Sequence, residues 1–414
     1  MIQLPKISFP TVMDAPVSKS HLQRELLLSL LADSPSKLFG DFNLLSADVQ
    51  SAIRCISVFG AQVKVSSNQI EIIPPNKVSI KEKLEINVGE SGFLIRHLVS
   101  IGFLFARKLI IHADGTLLNR KLHFNLELFT QLGVVQLSQV NEWPLILEQN
   151  RPIQQEIELD ASKTSQIASG VLIRLVCAQE LRRLCLINLV SLPYFEMTLA
   201  QLYNRGIYLN FNNRCIPMNR NESIKGSSIS IQGDWSGAAN LLCIGAITGS
   251  MNVCGLQVNS NQADEQIMEV LKAYGADICI EGDTISVRRG SNAAISVDVT
   301  HSPDLFPLLC VLASSAAGIS TINGTERLSS KESDRLHASI AMLEALGVEY
   351  NLAVNEISIK GGIKNKMVHL ETFNDHRMVL AALVIASIDD MYVSISELTS
   401  LNKSFPQLKP LLQV

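Results

Sequence analysis

Aromatic side chains are scarce in this 414-residue chain, at 5% of positions, so any core must be packed from aliphatic residues. Charge of one sign is missing as well: 35 Lys and Arg against 39 Asp and Glu leave a net charge of −4. No global field therefore draws the protein to nucleic acid. Charged residues are only 18% and hydrophobic residues reach 47%, which excludes a disordered chain. The eight cysteines form no CxxC pair and sit mostly in apolar runs, a pattern of neither a disulfide scaffold nor a zinc site. The N-terminal MIQLPKISFP lacks the charged-then-apolar order of a signal peptide. A cytoplasmic protein with reduced thiols is the expectation.

Long hydrophobic runs are absent too. Trp235–Ala263 and Leu305–Thr325 carry no charge, but Gly or Ser interrupts each after an apolar segment of about a dozen residues, fewer than the ~20 needed to span a bilayer. Both read as a buried helix followed by a strand, with no membrane partner.

What is present is a period. Amphipathic segments end in a glycine and then a β-rich run at Gly60, Gly133, Gly206, Gly275 and Gly347, at spacings of 73, 73, 69 and 72. A glycine there suits a helix C-cap. A second, more apolar helix recurs with starts near Ser20, Ser91, Ser165, Ser236, Asp304 and His376. Being apolar nearly all round, these helices belong inside a domain. The pattern predicts six α/β repeats of about 70 residues. The sixth is cut short, and the N-terminal segment is placed to supply its missing strand. Two domains follow: 1–16 plus 235–414, and an inserted 17–234.

Polar residues gather at the starts of the buried helices. Lys19, Ser20 and Arg24 mark the first, Gly92 and Arg96 the second, and Thr164, Ser165 and Gln166 the third. Asp304 marks the fifth and Arg377 the sixth, while Lys331, Glu332 and Arg335 open an amphipathic helix. Free N–H groups and the helix dipole favour anions at such ends. Each signal alone reads equally well as a capped, solvated helix start. Together they describe a two-domain protein for a multiply anionic substrate.

In order along the chain stand SKSHLQR, SADV, GESG with Arg96, DGTLLNR, SKTSQ, SLPY, GDWSGAA, PDLFP, KESDRL, NDHRM and KSFP. This series resembles the 5-enolpyruvylshikimate-3-phosphate synthases over essentially the whole chain. The resemblance implies a two-domain, inside-out α/β barrel of six βαβαββ-type repeats, three per domain, closing on its substrates like a clamp. It implies transfer of the enolpyruvyl group of phosphoenolpyruvate to the 5-hydroxyl of shikimate 3-phosphate, with release of phosphate and no cofactor or metal. Lys19, Gly92, Arg120, Gln166, Arg335, Arg377 and Lys403 would hold phosphoenolpyruvate. Ser20, Arg24, Thr164, Ser165, Ser191, Tyr194, Asp304 and Lys331 would hold shikimate 3-phosphate. Asp304 and Glu332 are the candidate acid–base pair, with Lys19 near the reacting centre. A monomer is expected.

The chain departs from the family pattern at Phe93, which follows the loop glycine, and at Val17, His97, Lys121 and Ala161. The related transferases acting on a UDP-amino sugar typically carry Lys-Asn where this chain has Lys19-Ser20, and a cysteine in the loop that reads HADGTLLNR here. A homologue that only binds would not need to keep Lys19, Arg120, Asp304, Glu332, Arg335, Arg377 and Lys403 together.

Overall fold

The computed structural model describes every residue except 7–8, 77–78, 121, 123, 125, 141, 179–181, 213, 219–221 and 413–414, and the side chain of residue 330. Lys121, one of the departures noted above, thus lies outside the described residues. The chain divides into two compact units. The terminal unit joins Met1–Ser18 to Gln232–Val414, and the central unit is Lys19–Ile231. These borders lie two and three residues from the 16/17 and 234/235 divisions expected. Backbone pairing explains the shift. The Ser18 N–H donates to the Gln232 carbonyl at 2.8 Å and the Asp234 N–H to the Pro16 carbonyl at 2.7 Å. Val17 and Gly233 complete an antiparallel bridge, so both crossing segments belong to the terminal unit.

Eleven α-helices are present among the described residues. In the central unit they are α1 (Lys19–Leu30), α2 (Ala47–Val58), α3 (Gly92–Ile101), α4 (Leu126–Gln131), α5 (Ser165–Cys177) and α6 (Leu192–Asn204). The terminal unit holds α7 (Trp235–Thr248), α8 (Ile267–Tyr274), α9 (Phe306–Ser314), α10 (Arg335–Ala345) and α11 (His376–Ser387). Side-chain caps set several starts, since a helix leaves its first N–H groups unbonded. Ser91 accepts from Leu94, Thr164 from Gln166, Asp234 from Gly237 and Asp375 from Arg377.

Six sheets form among the described residues, three per unit. Each contains one parallel pair, and a buried helix leads into the second strand of that pair. In the central unit the pairs are Ser228–Ser230 with Ser36–Phe39, Lys81–Asn87 with Ala106–His112, and Glu156–Asp160 with Arg182–Ile187. Those of the terminal unit are Val12–Asp14 with Ser250–Cys254, Ser296–Asp298 with Ile319–Asn323, and Met367–Leu370 with Tyr392–Ile395. Antiparallel strands extend each sheet. In the last, that strand is Ile2–Gln3, with Ile2 opposite Ile395.

Strands such as Glu156–Asp160 alternate exposed and buried residues, so one sheet face meets water and the other meets helices. In the terminal unit α7, α9 and α11 pack on one another, and every residue of α9 is buried. Helices inside and sheets outside make the inside-out arrangement; the strands form no closed ring among the described residues. α7 and α9, the two uncharged stretches, each run into a strand, at Ser250 and Ile319. No described helix is long and apolar enough to cross a membrane.

One expectation is overturned. Cys185 and Cys215 are joined by a disulfide. They stand directly opposite each other on antiparallel strands, and spacing along the chain cannot reveal a pairing that register creates. The other six cysteines are free thiols.

All five period-marking glycines have positive φ. At Gly133 φ is +68°, and a Cβ would run into the carbonyl of Arg151. Gly133→Ala should therefore lower unfolding free energy by at least about 1–2 kcal/mol, the left-handed backbone cost alone. A denaturant midpoint equal to that of the parent would remove this reading.

Candidate active site

The candidate residues divide between the units, and each unit builds its own cluster. In the central unit, Lys19 begins α1 and its Nζ lies 3.1 Å from Asp48 Oδ2. Gln23, one turn on, donates to the Asp48 carbonyl at 3.1 Å and to Ser91 Oγ at 3.2 Å, tying α1 to the start of α3. Arg24 is buried, at 1% exposure. Its Nε donates to Thr198 Oγ1 at 2.9 Å, Nη1 to the Ser20 carbonyl at 2.8 Å, and Nη2 to the Tyr194 carbonyl at 3.0 Å. Tyr194 is in turn set by α6, whose preceding residue Ser191 has φ +51° and accepts from the Tyr194 N–H at 3.1 Å. Ser20, Arg24, Ser191 and Tyr194 therefore form one group.

A second group gathers around Gly92. Arg96 Nη1 donates to the Gly92 carbonyl at 3.2 Å and to Gln166 Oε1 at 2.9 Å. Arg120 Nη2 donates to Thr116 Oγ1 at 2.6 Å, and Glu90 fixes Thr116 through its N–H and hydroxyl. A Cβ on Gly92 would stand 2.8 Å from Arg96 Nη1 and 3.5 Å from Arg120 Nη1, so glycine lets two guanidinium groups converge on the backbone. Thr164 spends its hydroxyl oxygen capping α5, and Ser165, the first residue of that helix, is buried.

Electrostatics in the central unit are unusual in one respect. Among the described residues Arg24 and Arg96 hydrogen-bond only to neutral oxygens. Burial pushes each guanidinium down to about 10, and the charge of Arg120 adds to the effect at Arg96. The Arg96 Nε is buried without a partner among the described residues. Among the described residues no carboxylate hydrogen-bonds to either cation, an arrangement that favours an anion placed beside them.

The terminal unit pairs its cations instead. Asp304, just before α9, bridges two arginines: Oδ1 accepts from Arg335 Nη1, and Oδ2 from Arg377 Nη2 at 2.9 Å. Asp375 caps α11 through the Arg377 N–H and takes Arg335 Nε at 3.0 Å on its other oxygen. Burial alone would raise Asp304, but Arg335, Arg377 and Lys331 outweigh it and hold the carboxyl well below its ordinary range. The same contest, won mainly by Arg335, lowers Asp375. Arg335 is raised in return: Asp375, Asp304 and Glu332 overcome its burial. Arg377 also donates to Ser236 Oγ at 2.7 Å and to the Ser236 carbonyl at 3.1 Å. Lys403 Nζ reaches the Asn374 carbonyl at 3.2 Å. Glu332 Oε2 lies 2.7 Å from His376 Nδ1.

Glu332, Asp375 and His376 stand close enough to chelate a cation, with donor atoms within 4.8 Å of one another. The set is a poor one for a metal. Asp375 already accepts from Arg335, Ser333 and the Arg377 N–H, and His376 Nδ1 faces Glu332. Sequence reasoning kept Arg96, Asp375 and His376 out of the site, although NDHRM contains two of them and Arg96 follows Gly92 by one turn. It also passed over Gln23 and Asp48, which position Ser91 and Lys19.

A family model described as EPSP synthase (3-phosphoshikimate 1-carboxyvinyltransferase) matches residues 10–412. A 3-phosphoshikimate 1-carboxyvinyltransferase of Pyrococcus abyssi is 33% identical over 392 residues, covering 95% of this chain and 92% of that one. Its counterpart in Pyrococcus furiosus is 32% identical over 397 residues, covering 95% and 94%. Among solved structures, an EPSP synthase of Acinetobacter baumannii superimposes with a TM-score of 0.80 at 19% identity, covering 100% of this chain and 97% of the other. An enolpyruvyl transferase of Streptomyces tendae reaches 0.71 at 14% identity, covering 100% and 96%. At those identities the structural likeness speaks for the fold.

Asp375→Asn leaves buried Arg335 without one of its carboxylates, and breaking such a pair costs about 3–5 kcal/mol. Asp304 and Asp375 are both depressed on folding, so their stabilisation is complete above the unfolded carboxyl value of about 4 and fades as pH falls through the folded values. Thermal unfolding of the parent should therefore drop below about pH 4, and the variant should begin lower at neutral pH and lose less on acidification. Parallel curves for the two proteins would contradict this.

Proposed function

Because the chain belongs to the EPSP synthase family, we propose that its two clusters of cations bind the family's two anionic substrates and carry its reaction. The protein is a transferase: it moves the enolpyruvyl group of phosphoenolpyruvate to the 5-hydroxyl of shikimate 3-phosphate and releases phosphate, in the shikimate pathway to chorismate and the aromatic amino acids. We assign phosphoenolpyruvate to Lys19, Gly92, Arg120 and Gln166 of the central unit and to Arg335, Arg377 and Lys403 of the terminal unit. Shikimate 3-phosphate goes to Ser20, Arg24, Thr164, Ser165, Ser191 and Tyr194, with Asp304 and Lys331.

The chemistry has two halves. In addition, the 5-oxygen bonds to C2 of phosphoenolpyruvate, the hydroxyl gives up its proton, and C3 gains one to become a methyl group. In elimination, the C2–O bond to phosphate breaks while C3 returns a proton. We assign the hydroxyl proton to Asp304: Arg335 and Arg377 hold it ionised, so it can accept a hydrogen bond from the 5-hydroxyl, though the same arginines make it a weak base. Glu332, hydrogen-bonded to His376, is the group we assign to C3 in both halves. Lys19 stands by as a third group for proton movement. Arginines that can fork onto phosphate and carboxylate favour the tetrahedral intermediate and the leaving phosphate. The observation that carries this reading is Asp304 set between two arginines, with Glu332 and His376 in the same cluster. A cytoplasmic monomer acting on small anions is the setting we propose; six free thiols fit it, and the Cys185–Cys215 disulfide speaks against it.

Phosphate release, measured with phosphoenolpyruvate and either shikimate 3-phosphate or UDP-N-acetylglucosamine, tests the substrate assignment. Release is expected with shikimate 3-phosphate alone; release with the sugar nucleotide alone would move the chain to the other acceptor. Glu332→Gln should cut turnover by about 10²–10⁴ while shikimate 3-phosphate still binds. Undiminished turnover would take Glu332 out of the mechanism.

A further inference from the structure

The Arg24 guanidinium lies over the face of an aromatic ring. Its Cζ lies 5.0 Å from the centroid of Phe93, the residue that follows Gly92. Phe93 is 8% exposed and is itself stacked on His97, with ring centroids 3.8 Å apart and planes 27° from parallel. His97 is locked in turn by Nδ1, 2.8 Å from the Phe93 carbonyl one turn back in α3. Phe93 thus contacts both the Arg24 guanidinium of α1 and the His97 imidazole of α3.

We propose that Phe93 is a positioning residue for Arg24, and through it sets the affinity for the anionic acceptor. This rests on the assignment of Arg24 to shikimate 3-phosphate. Arg24 has five N–H donors, and among the described residues three are spent on the oxygens of Ser20, Tyr194 and Thr198. One hydrogen on each Nη is left for a ligand. Those hydrogens lie in the guanidinium plane, so what fixes that plane fixes their aim. Three bonds to neutral oxygens orient the group but bring no opposite charge to it. The electron-rich face of Phe93, within ~6 Å of Cζ, attracts the cation and helps hold it in place. With only neutral oxygens in its hydrogen bonds, this buried charge gains more from a ring than one already paired with a carboxylate.

His97 fits the same role. Burial, and then the nearby charge of Arg24, push its imidazole down to about 3, so the group stacked on the phenyl ring is neutral at working pH. A charged imidazole in that place would repel Arg24. A residue at position 93 that only filled space would affect shikimate 3-phosphate no differently from other substrates.

The test uses the full chain with Phe93→Leu, which keeps apolar bulk but removes the ring, and Phe93→Tyr, which keeps the ring. Shikimate 3-phosphate binding by calorimetry, KM for both substrates, and kcat are measured, with Arg24→Gln alongside. Phe93→Leu should weaken shikimate 3-phosphate about tenfold, the scale of a desolvated cation–π contact, with kcat and the phosphoenolpyruvate KM changing less than twofold. Phe93→Tyr should restore affinity, and Phe93→Leu should add nothing in the Arg24→Gln background. Should Phe93→Leu fail to fold, Phe93→Met is also ringless and carries the same expectation. A rise confined to the phosphoenolpyruvate KM, or equal affinity in Leu and Tyr variants, would overturn the proposal. If Arg24→Gln itself leaves shikimate 3-phosphate binding unchanged, the assignment of Arg24 falls, and the proposal falls with it.

Discussion

Two carboxylates hold the charge network of the terminal unit together. Arg335 is buried between Asp304 and Asp375, and Asp304 also carries Arg377. Burying these guanidinium groups without acidic partners would cost several kcal/mol each. Asp375 does more than neutralise, because the same side chain caps α11 and so fixes where Arg377 leaves the helix. The starts of α9, α10 and α11 are thereby bound to one charge network. It lies at the helix ends, above a core that is aliphatic apart from a few rings.

The central unit solves the same problem the other way. Arg24 and Arg96 sit buried against backbone carbonyls, a hydroxyl and an amide, with no carboxylate in their hydrogen bonds among the described residues. Internal pairing stabilises a cation but occupies it. Leaving it to neutral dipoles costs stability and preserves its attraction for a ligand's phosphate or carboxylate. The two units thus treat buried charge differently. One pairs its cations with ionised carboxylates, and the other sets them against neutral dipoles alone among the described residues.

Much of this is legible in the amino-acid sequence. Helix C-caps at five glycines are a local backbone requirement, so their spacing exposed the repeats directly. Buried helices are apolar on every side, which composition also shows. The polar motifs stood out because four polar residues in NDHRM cannot enter a core without partners. What stayed hidden was set by pairing between distant segments. Ser228–Ser230 lies parallel to Ser36–Phe39 across nearly the whole central unit, and Cys185 meets Cys215 only through strand register. Arg96 and His97 both stand out in the sequence, one at a helix start and one as a departure from the family pattern, but nothing local reveals that one reaches Gln166 and the other stacks on Phe93. The sequence likewise marks Asp304 as a helix start, whereas α9 begins at Phe306 and leaves the carboxylate to two arginines.

The most direct measurement is NMR of the reaction run in D2O with the full chain, shikimate 3-phosphate and phosphoenolpyruvate. If an acidic group of the protein protonates C3 and a later step removes a proton from the resulting methyl group, solvent deuterium must enter the vinyl position of the product. Phosphate must appear one for one with it. Deuterium at that position is the predicted result. A product formed at the same rate with protium alone at C3 would contradict addition and elimination, and with it the roles given to Glu332 and Asp304.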